Sequence, residues 1–174
     1  MINNAKLENI CIELQNAYES GNTLDILKAE HKAYDIFNEM VKMRMIKLSF
    51  LSDDIKTYVH ADAVTSCLLA VKKFKLYASN TFLGMTGDGD IIGYSKKDGQ
   101  TKVSYPLSVC CNKEHVPITE ANIGELKEGD DILIKNNCFS FFITTIINSC
   151  STSMAQYKKA GDVSLSIFEN NVID

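Results

Sequence analysis

The chain has 174 residues, of which 45% are hydrophobic and 23% charged, and its formal net charge at pH 7 is −4. This composition excludes a disordered or fibrous protein and is sufficient for a folded domain with a sizeable core. Of the 18 basic residues only Arg44 is an arginine, which disfavours the bidentate readout of guanine and phosphate that sequence-specific nucleic-acid binding uses.

The start of the chain has no basic residues followed by an apolar run, and we expect no apolar window of the roughly 18 residues that a membrane span needs. The six cysteines lie mostly in apolar segments, without the spacing of a disulfide framework: Cys11, Cys67, Cys110, Cys111, Cys138 and Cys150. This pattern predicts reduced, buried thiols and a cytoplasmic protein.

Three helices are expected in the first part of the chain. Apolar residues from Leu7 to Tyr18 recur at the three-and-four spacing of an amphipathic helix. Gly21 is placed to end that helix, and Asn22 or Thr23 to cap the next, which carries a wide apolar face from Ile26 to about Leu48. The short loop predicts an antiparallel helical hairpin. A third helix is predicted from Ala61 to Ala78.

After Ser79 the apolar period changes from 3.6 to 2, which predicts an antiparallel sheet. Strands are expected near Thr81 to Met85, Asp90 to Ser95, Thr101 to Leu107, Asp131 to Lys135, Cys138 to Asn148 and Val163 to Phe168. Asn136-Asn137 suits a two-residue hairpin turn. The strand after it is apolar on both faces, so we predict a central strand with Phe141 buried.

The predicted fold class is therefore α+β, with an N-terminal helical hairpin and a third helix followed by an antiparallel sheet. Closure of that sheet into a small barrel is an open alternative. The predicted organisation is a helical part over residues 1–79 and an antiparallel β part over residues 80–174, joined in one compact unit.

Motifs for metals, cofactors and catalysis are weak. The segment from Asp88 to Gly99 matches a calcium loop at its first, third and sixth positions, but Gly99 stands where a bidentate Glu is needed. Cys110, Cys111 and His115 offer soft ligands without a second closely spaced pair. There is no nucleophile elbow, zinc-protease motif, phosphate loop or dinucleotide fingerprint. We predict no metal, no cofactor and no catalytic residue.

Met40, Met43 and Met45, with Arg44 among them, indicate an adaptable surface for a partner, although such methionines are more often core residues. The leading hypothesis is a small intracellular or viral accessory protein that binds a protein partner, or a second copy of itself, without catalysis and without a specific nucleic-acid or membrane partner. One alternative is a cysteine-dependent or acid/base hydrolase assembled from distant residues. A weaker one is lysine-mediated, non-specific nucleic-acid binding.

Overall fold

The computed structural model describes the backbone of residues 2–170 and the side chains of residues 2–159. Over these residues it is an α+β protein with four α-helices and two small antiparallel sheets. The helices are α1 Asn4–Ser20, α2 Thr23–Met45, α3 Asp53–Val71 and α4 Cys138–Asn170. The strands are β1 Tyr77–Thr81, β2 Gly84–Met85, β3 Ile91–Tyr94, β4 Lys102–Tyr105, β5 Cys110–Asn112 and β6 Asp131–Lys135.

The residues pack into two units. The helical unit comprises residues up to Phe74 together with those from Cys138 onward, and the β unit comprises residues 75–137. The β unit is thus inserted in the sequence between α3 and α4. The predicted β part over residues 80–174 has its last strand at Lys135, and the segment that follows belongs to the helical unit.

Local signals place α1 and α2 as the sequence predicts. Gly21 ends α1 with a left-handed backbone (φ 66°), which glycine adopts without strain. The side chain of Asn22 accepts hydrogen bonds from the backbone N–H groups of Leu24 and Asp25 and so caps α2. The two helices pack against each other across this two-residue loop, as the predicted hairpin requires.

Three contacts fix the antiparallel register of α3 and α4. From one contact to the next, the residue in α3 advances by four positions and the residue in α4 goes back by four. They are the ring contact of Tyr58 with Tyr157 (centroids 5.8 Å apart), the 2.6 Å hydrogen bond that Ser153 donates to Asp62, and the 3.0 Å bond between the hydroxyls of Ser66 and Ser149. The repeat of four residues is the helical period on both sides, so the two helices lie side by side over most of α3.

The predicted strand from Cys138 to Asn148 is wrong, because this segment is the start of α4. Its buried side chains recur at helical rather than alternate spacing: Cys138, Phe142, Ile146, Cys150 and Ser153. A run that is apolar on both alternate faces fits a central strand and a buried helix equally well, and tertiary packing decides between them. Phe141 is half-buried, whereas Phe142 is fully buried against Phe37, with ring centroids 4.7 Å apart.

Two further predictions on this segment fail with it. Asn136-Asn137 connects β6 to α4 instead of joining two strands, and the predicted strand from Val163 to Phe168 lies within α4. The third helix is placed correctly but begins at Asp53 and ends at Val71, several residues earlier than the predicted limits.

The expectation of no apolar window long enough for a membrane span is also wrong for α4. Residues Cys138–Lys159 reach a mean hydropathy of 1.2, which by length and composition alone would suffice to cross a membrane. The core helix of a soluble bundle passes the same test. Of that window 28% is buried among the described residues, so its composition by itself is evidence neither for nor against a membrane.

The β unit has two three-stranded antiparallel sheets, ordered β1-β6-β5 and β2-β3-β4. The strand pairings among the described residues do not close into the small barrel that was an alternative. A core is shared by residues of both sheets and of the segments between them: Phe82, Ile91, Cys110, Ile118, Ile132 and Ile134. Tyr77 pairs with Lys135, so the two ends of the insertion lie side by side.

Asn80 joins the two sheets. Its Oδ1 accepts 2.8 Å hydrogen bonds from the backbone N–H groups of Thr81 and Tyr94, and its Nδ2 donates to the carbonyl oxygen of Tyr94. A Cβ at Gly93 would lie 2.8 Å from that Oδ1. The position therefore requires glycine, because the asparagine is held in place by its donors and cannot move aside without losing them.

We expect Phe142→Ala to lower the free energy of unfolding by about 3–5 kcal/mol, because it leaves a cavity among packed aromatic rings. Phe139→Ala is the matched control, since Phe139 is 38% exposed and should cost far less. Urea unfolding followed by far-ultraviolet circular dichroism measures both. Equal losses for the two variants would contradict the position of Phe142 in the core.

Gly93→Ala should lower the free energy of unfolding by about 1–3 kcal/mol through its clash with Asn80. Gly87→Ala is the control, because no atom lies within 4 Å of its added Cβ. In the background of Asn80→Ala the cost of Gly93→Ala should disappear, which a double-mutant cycle of chemical melts detects. An undiminished cost in that background would show that the clash is elsewhere.

Candidate interaction surface

The four residues predicted for partner binding occupy different environments. Met40 is buried in the core of the helical unit. Met43 is 64% exposed, while Arg44 and Met45 are half-buried. The structure therefore places Met43 on the surface beside Arg44 and Met45, and assigns Met40 to packing.

Exposed apolar side chains continue beyond Met43. Ile46, in the 3-10 turn Ile46–Leu48, is 76% exposed, and Phe50 is 75% exposed. Met43 lies in the last turn of α2, Ile46 in the 3-10 turn and Phe50 in the turn after it, so the three exposed residues are close in sequence at the end of α2. Sequence reasoning missed Ile46 and Phe50. Their spacing was visible in the sequence, but the side of the helix that faces solvent was not.

Three basic residues, Lys42, Arg44 and Lys47, alternate with these apolar ones. No acidic residue lies between Glu39 and Asp53 in the sequence. None of the three makes an ion pair with any residue whose side chain the structure describes. We call Lys42, Met43, Arg44, Ile46, Lys47 and Phe50 the α2-end patch. It is locally basic although the whole chain has a net charge of −4.

A groove of about 480 Å³ runs between α2 and α3 in the helical unit. We call it the α2–α3 groove, and its principal lining residues are Tyr34, Met45, Lys56, His60, Val64 and Leu68. Met45 belongs to the groove and is next in sequence to residues of the α2-end patch, so the two surfaces adjoin. No acidic side chain is among the described residues that line the groove.

His60 lines the α2–α3 groove, and its pKa depends on burial and on Lys42 of the α2-end patch. Its Nε2 lies 2.6 Å from Oδ1 of Asn38 and donates to it when that nitrogen carries the proton. Burial lowers the pKa of His60 below its usual value, and the charge of Lys42 lowers it further. The lowered pKa favours the neutral imidazole at neutral pH.

A larger groove, of about 810 Å³, lies between α1 and α2. Its charges are of both signs, and Lys32 pairs with Glu13 at 2.5 Å across it. Because these charges largely satisfy each other, the larger groove offers a charged partner less than the α2–α3 groove does.

The cysteines are free and buried, as their apolar surroundings predict. Burial raises the pKa of Cys67 to about 12 and that of Cys110 to about 11. The pKa of Cys11 is raised by its contact with Cys138, whose sulfur is 3.7 Å away, and by burial. Thiols held protonated in this way are poor nucleophiles. Among the described residues, no three His, Cys, Asp or Glu side chains are grouped to hold a metal ion.

Comparisons with protein-family models, with curated proteins and with solved structures found no significant match to this chain.

The lowered pKa of His60 predicts that stability falls in mild acid. In the unfolded chain the His60 imidazole takes up a proton near pH 6.5, whereas in the folded chain it does so only at a lower pH. The free energy of unfolding therefore decreases as pH falls from about 7 towards the lower folded pKa. Chemical melts at about pH 7.5 and about pH 5.5 measure this. His60→Gln should weaken the pH dependence, and His31→Gln, at a side chain 79% exposed, should leave it. Equal effects of both substitutions would contradict the assignment.

Proposed function

We propose that this protein binds a protein partner through the α2-end patch and the adjoining α2–α3 groove, and that it carries out no chemistry itself. The observation behind the proposal is the grouping of Met43, Ile46 and Phe50, which are 64%, 76% and 75% exposed. Single exposed apolar residues are ordinary on a protein surface. Three within eight residues at the end of α2, next to a groove with apolar lining, are typical of a binding site.

The chemistry of the surface suits protein recognition. Methionine and phenylalanine are enriched at the buried centres of interfaces, where a few anchors contribute most of the binding energy. Burying Phe50 or Ile46 would contribute about 1.5–3 kcal/mol each. Three side chains cover less than the roughly 800 Å² per partner of a standard interface, so the groove must supply the remaining area. The lysines at the edge would accelerate the encounter with an acidic partner.

The other two hypotheses have less support. A cysteine-dependent hydrolase needs an accessible thiolate. Burial raises the pKa values of Cys67, Cys110 and Cys150, and contact with Cys138 together with burial raises that of Cys11. Non-specific nucleic-acid binding needs many phosphate contacts, whereas the α2-end patch has three cations on a chain with a net charge of −4.

The test is site-specific photo-crosslinking in the source cells, with a photoreactive amino acid in place of the exposed Lys47. We expect one defined protein to be crosslinked, and the double variant Met43→Glu/Ile46→Glu to abolish the product because it places charge at the centre of the interface. Leu24→Glu is the matched control, since Leu24 is a 59% exposed apolar residue at the other end of α2. The free energy of unfolding should change by less than about 0.5 kcal/mol in both variants.

Two results would refute the proposal. One is a crosslinked product that survives Met43→Glu/Ile46→Glu, or that Leu24→Glu removes equally well. The other is unfolding of the double variant, which would place Met43 and Ile46 in the packing of the chain.

A further inference from the structure

We propose that Cys11 and Cys138 form a redox modification site, at which hydrogen peroxide converts two buried thiols into a disulfide that ties α1 to the first turn of α4. The site is independent of the proposed binding surface. The two sulfurs are in contact, a hydrogen bond holds the two helices together beside them, and the link would close most of the chain into one covalent loop.

The contact of the sulfurs is direct. Sγ of Cys11 and Sγ of Cys138 are 3.7 Å apart, although the residues are 127 positions apart in the sequence. In a disulfide the two sulfurs are about 2.0 Å apart, a change that rotations of the two side chains supply when the backbones are already close. Both residues are at most 1% exposed, so the pair lies within the packed core of the helical unit.

The helices that carry the pair are joined beside it. The side-chain oxygen of Asn4 accepts a 2.9 Å hydrogen bond from the backbone N–H of Phe139, the residue that follows Cys138. Asn4 is seven residues before Cys11, and residues seven apart lie on the same side of a helix. Leu7, between them on that side of α1, is fully buried. We therefore expect the disulfide to form with little movement of the backbone.

Cys11 differs from the other thiols near it in having this contact. Its pKa is raised first by the hydrogen bond with Cys138 and then by burial. Cys67 is equally buried, but it acts on Cys11 only through its charge. The pKa of Cys67 is itself raised to about 12 by burial and by Cys150. Cys138 is therefore the partner that the geometry selects for Cys11, and Cys67 provides a matched control.

The oxidant must be small, because both sulfurs lie beneath the surface. Hydrogen peroxide meets this requirement and reaches the pair when the start of α1 opens transiently. One sulfur attacks a peroxide oxygen, the O–O bond breaks, and a sulfenic acid and a water molecule form. The second sulfur then attacks the sulfenic sulfur, the S–O bond breaks, the S–S bond forms, and a second water molecule leaves with the thiol proton. The two thiols lose two electrons and two protons, and the peroxide gains them.

Burial sets the conditions under which the pair reacts. The raised pKa of Cys11 keeps its thiol protonated and therefore slow to react, so the pair stays reduced when peroxide is scarce. The same burial shields the disulfide from thiol reductants, which must reach a sulfur to attack it. The site would therefore respond to sustained exposure to peroxide and would hold its oxidised state afterwards.

The disulfide would act on the whole chain through the loop that it closes. That loop contains α2, α3 and the entire β unit. A cross-link that closes a long loop restricts the unfolded chain more than one that closes a short loop. Oxidation would thus keep the helical unit folded at temperatures at which the reduced chain opens.

Peroxide treatment of the whole reduced chain tests the site. Before alkylation, the mass should be about 2 Da lower than that of the reduced chain, because two thiol hydrogens are lost. Alkylation in denaturant should then label four of the six cysteines, since two of the six are joined. Peptide mapping by mass spectrometry should find Cys11 linked to Cys138.

Two variants test the effect on stability. The melting temperature, followed by far-ultraviolet circular dichroism, should rise by at least about 5 °C on oxidation of the unaltered chain. Cys67→Ala should show the same rise and the same linked peptides. Cys11→Ala removes a thiol of equal burial, and its melting temperature should not rise. If Cys11→Ala fails to fold, the peptide map of the unaltered chain still decides.

Three results would overturn the inference. One is a first link elsewhere, either between Cys11 and Cys67 or between Cys110 and Cys111. Another is a link between Cys11 and Cys138 that forms only after the chain is unfolded in urea, since the two sulfurs would then not meet in the native fold. The third is a melting temperature that falls on oxidation, which would show that the disulfide pulls the helices apart instead of tying them.

Discussion

The antiparallel contact of α3 with α4 is the constraint on which the rest of the structure depends, because the chain leaves the helical unit after α3 and returns to it at α4. Phe74, just beyond α3, packs on Phe141 and Phe142 at the start of α4, with ring centroids 5.0 and 5.9 Å apart. The two ends at which the β unit is inserted are therefore held close together. Within the β unit, the pairing of Tyr77 with Lys135 does the same from the other side. An insertion with adjacent ends costs little loop entropy, so each unit keeps its own core.

Hydrogen bonds between polar side chains fix the register of α3 and α4, which apolar packing alone does not determine. Ser153 donates to Asp62, and the hydroxyls of Ser66 and Ser149 are hydrogen-bonded to each other. A slip of α4 by one turn would leave the buried hydroxyl of Ser153 without its partner, at a cost of about 1–3 kcal/mol; Asp62, Ser66 and Ser149 are half-buried. At the other end, the side-chain amide of Gln15 donates to the carbonyl oxygens of Val71 and Phe74, which satisfies acceptors that the end of α3 leaves open. The same register determines how far α4 extends past α3.

Charge and hydrophobicity are distributed so that the α2-end patch lacks a counterpart within the described part of the chain. Lys42, Arg44 and Lys47 have no ion-pair partner there, and three apolar side chains beside them face solvent. Lys32, by contrast, pairs with Glu13 across the groove between α1 and α2.

Much of the fold follows from the sequence alone, since local signals act within a few residues. Gly21 and Asn22 end one helix and start the next, the glycine-containing turns bound the strands of the β unit, and cysteines within apolar runs are buried.

Tertiary structure alone decided the segment from Cys138 to Asn148, because residues apolar on every side satisfy a strand or a helix. Packing against α2 and α3 selects the helix, in which every fourth side chain is buried. It likewise decided that Met40 packs in the core while Met43, less than one turn later on nearly the same side of α2, faces water. Helical spacing shows which residues share a side, but only the neighbouring helices determine how far along α2 that side is covered.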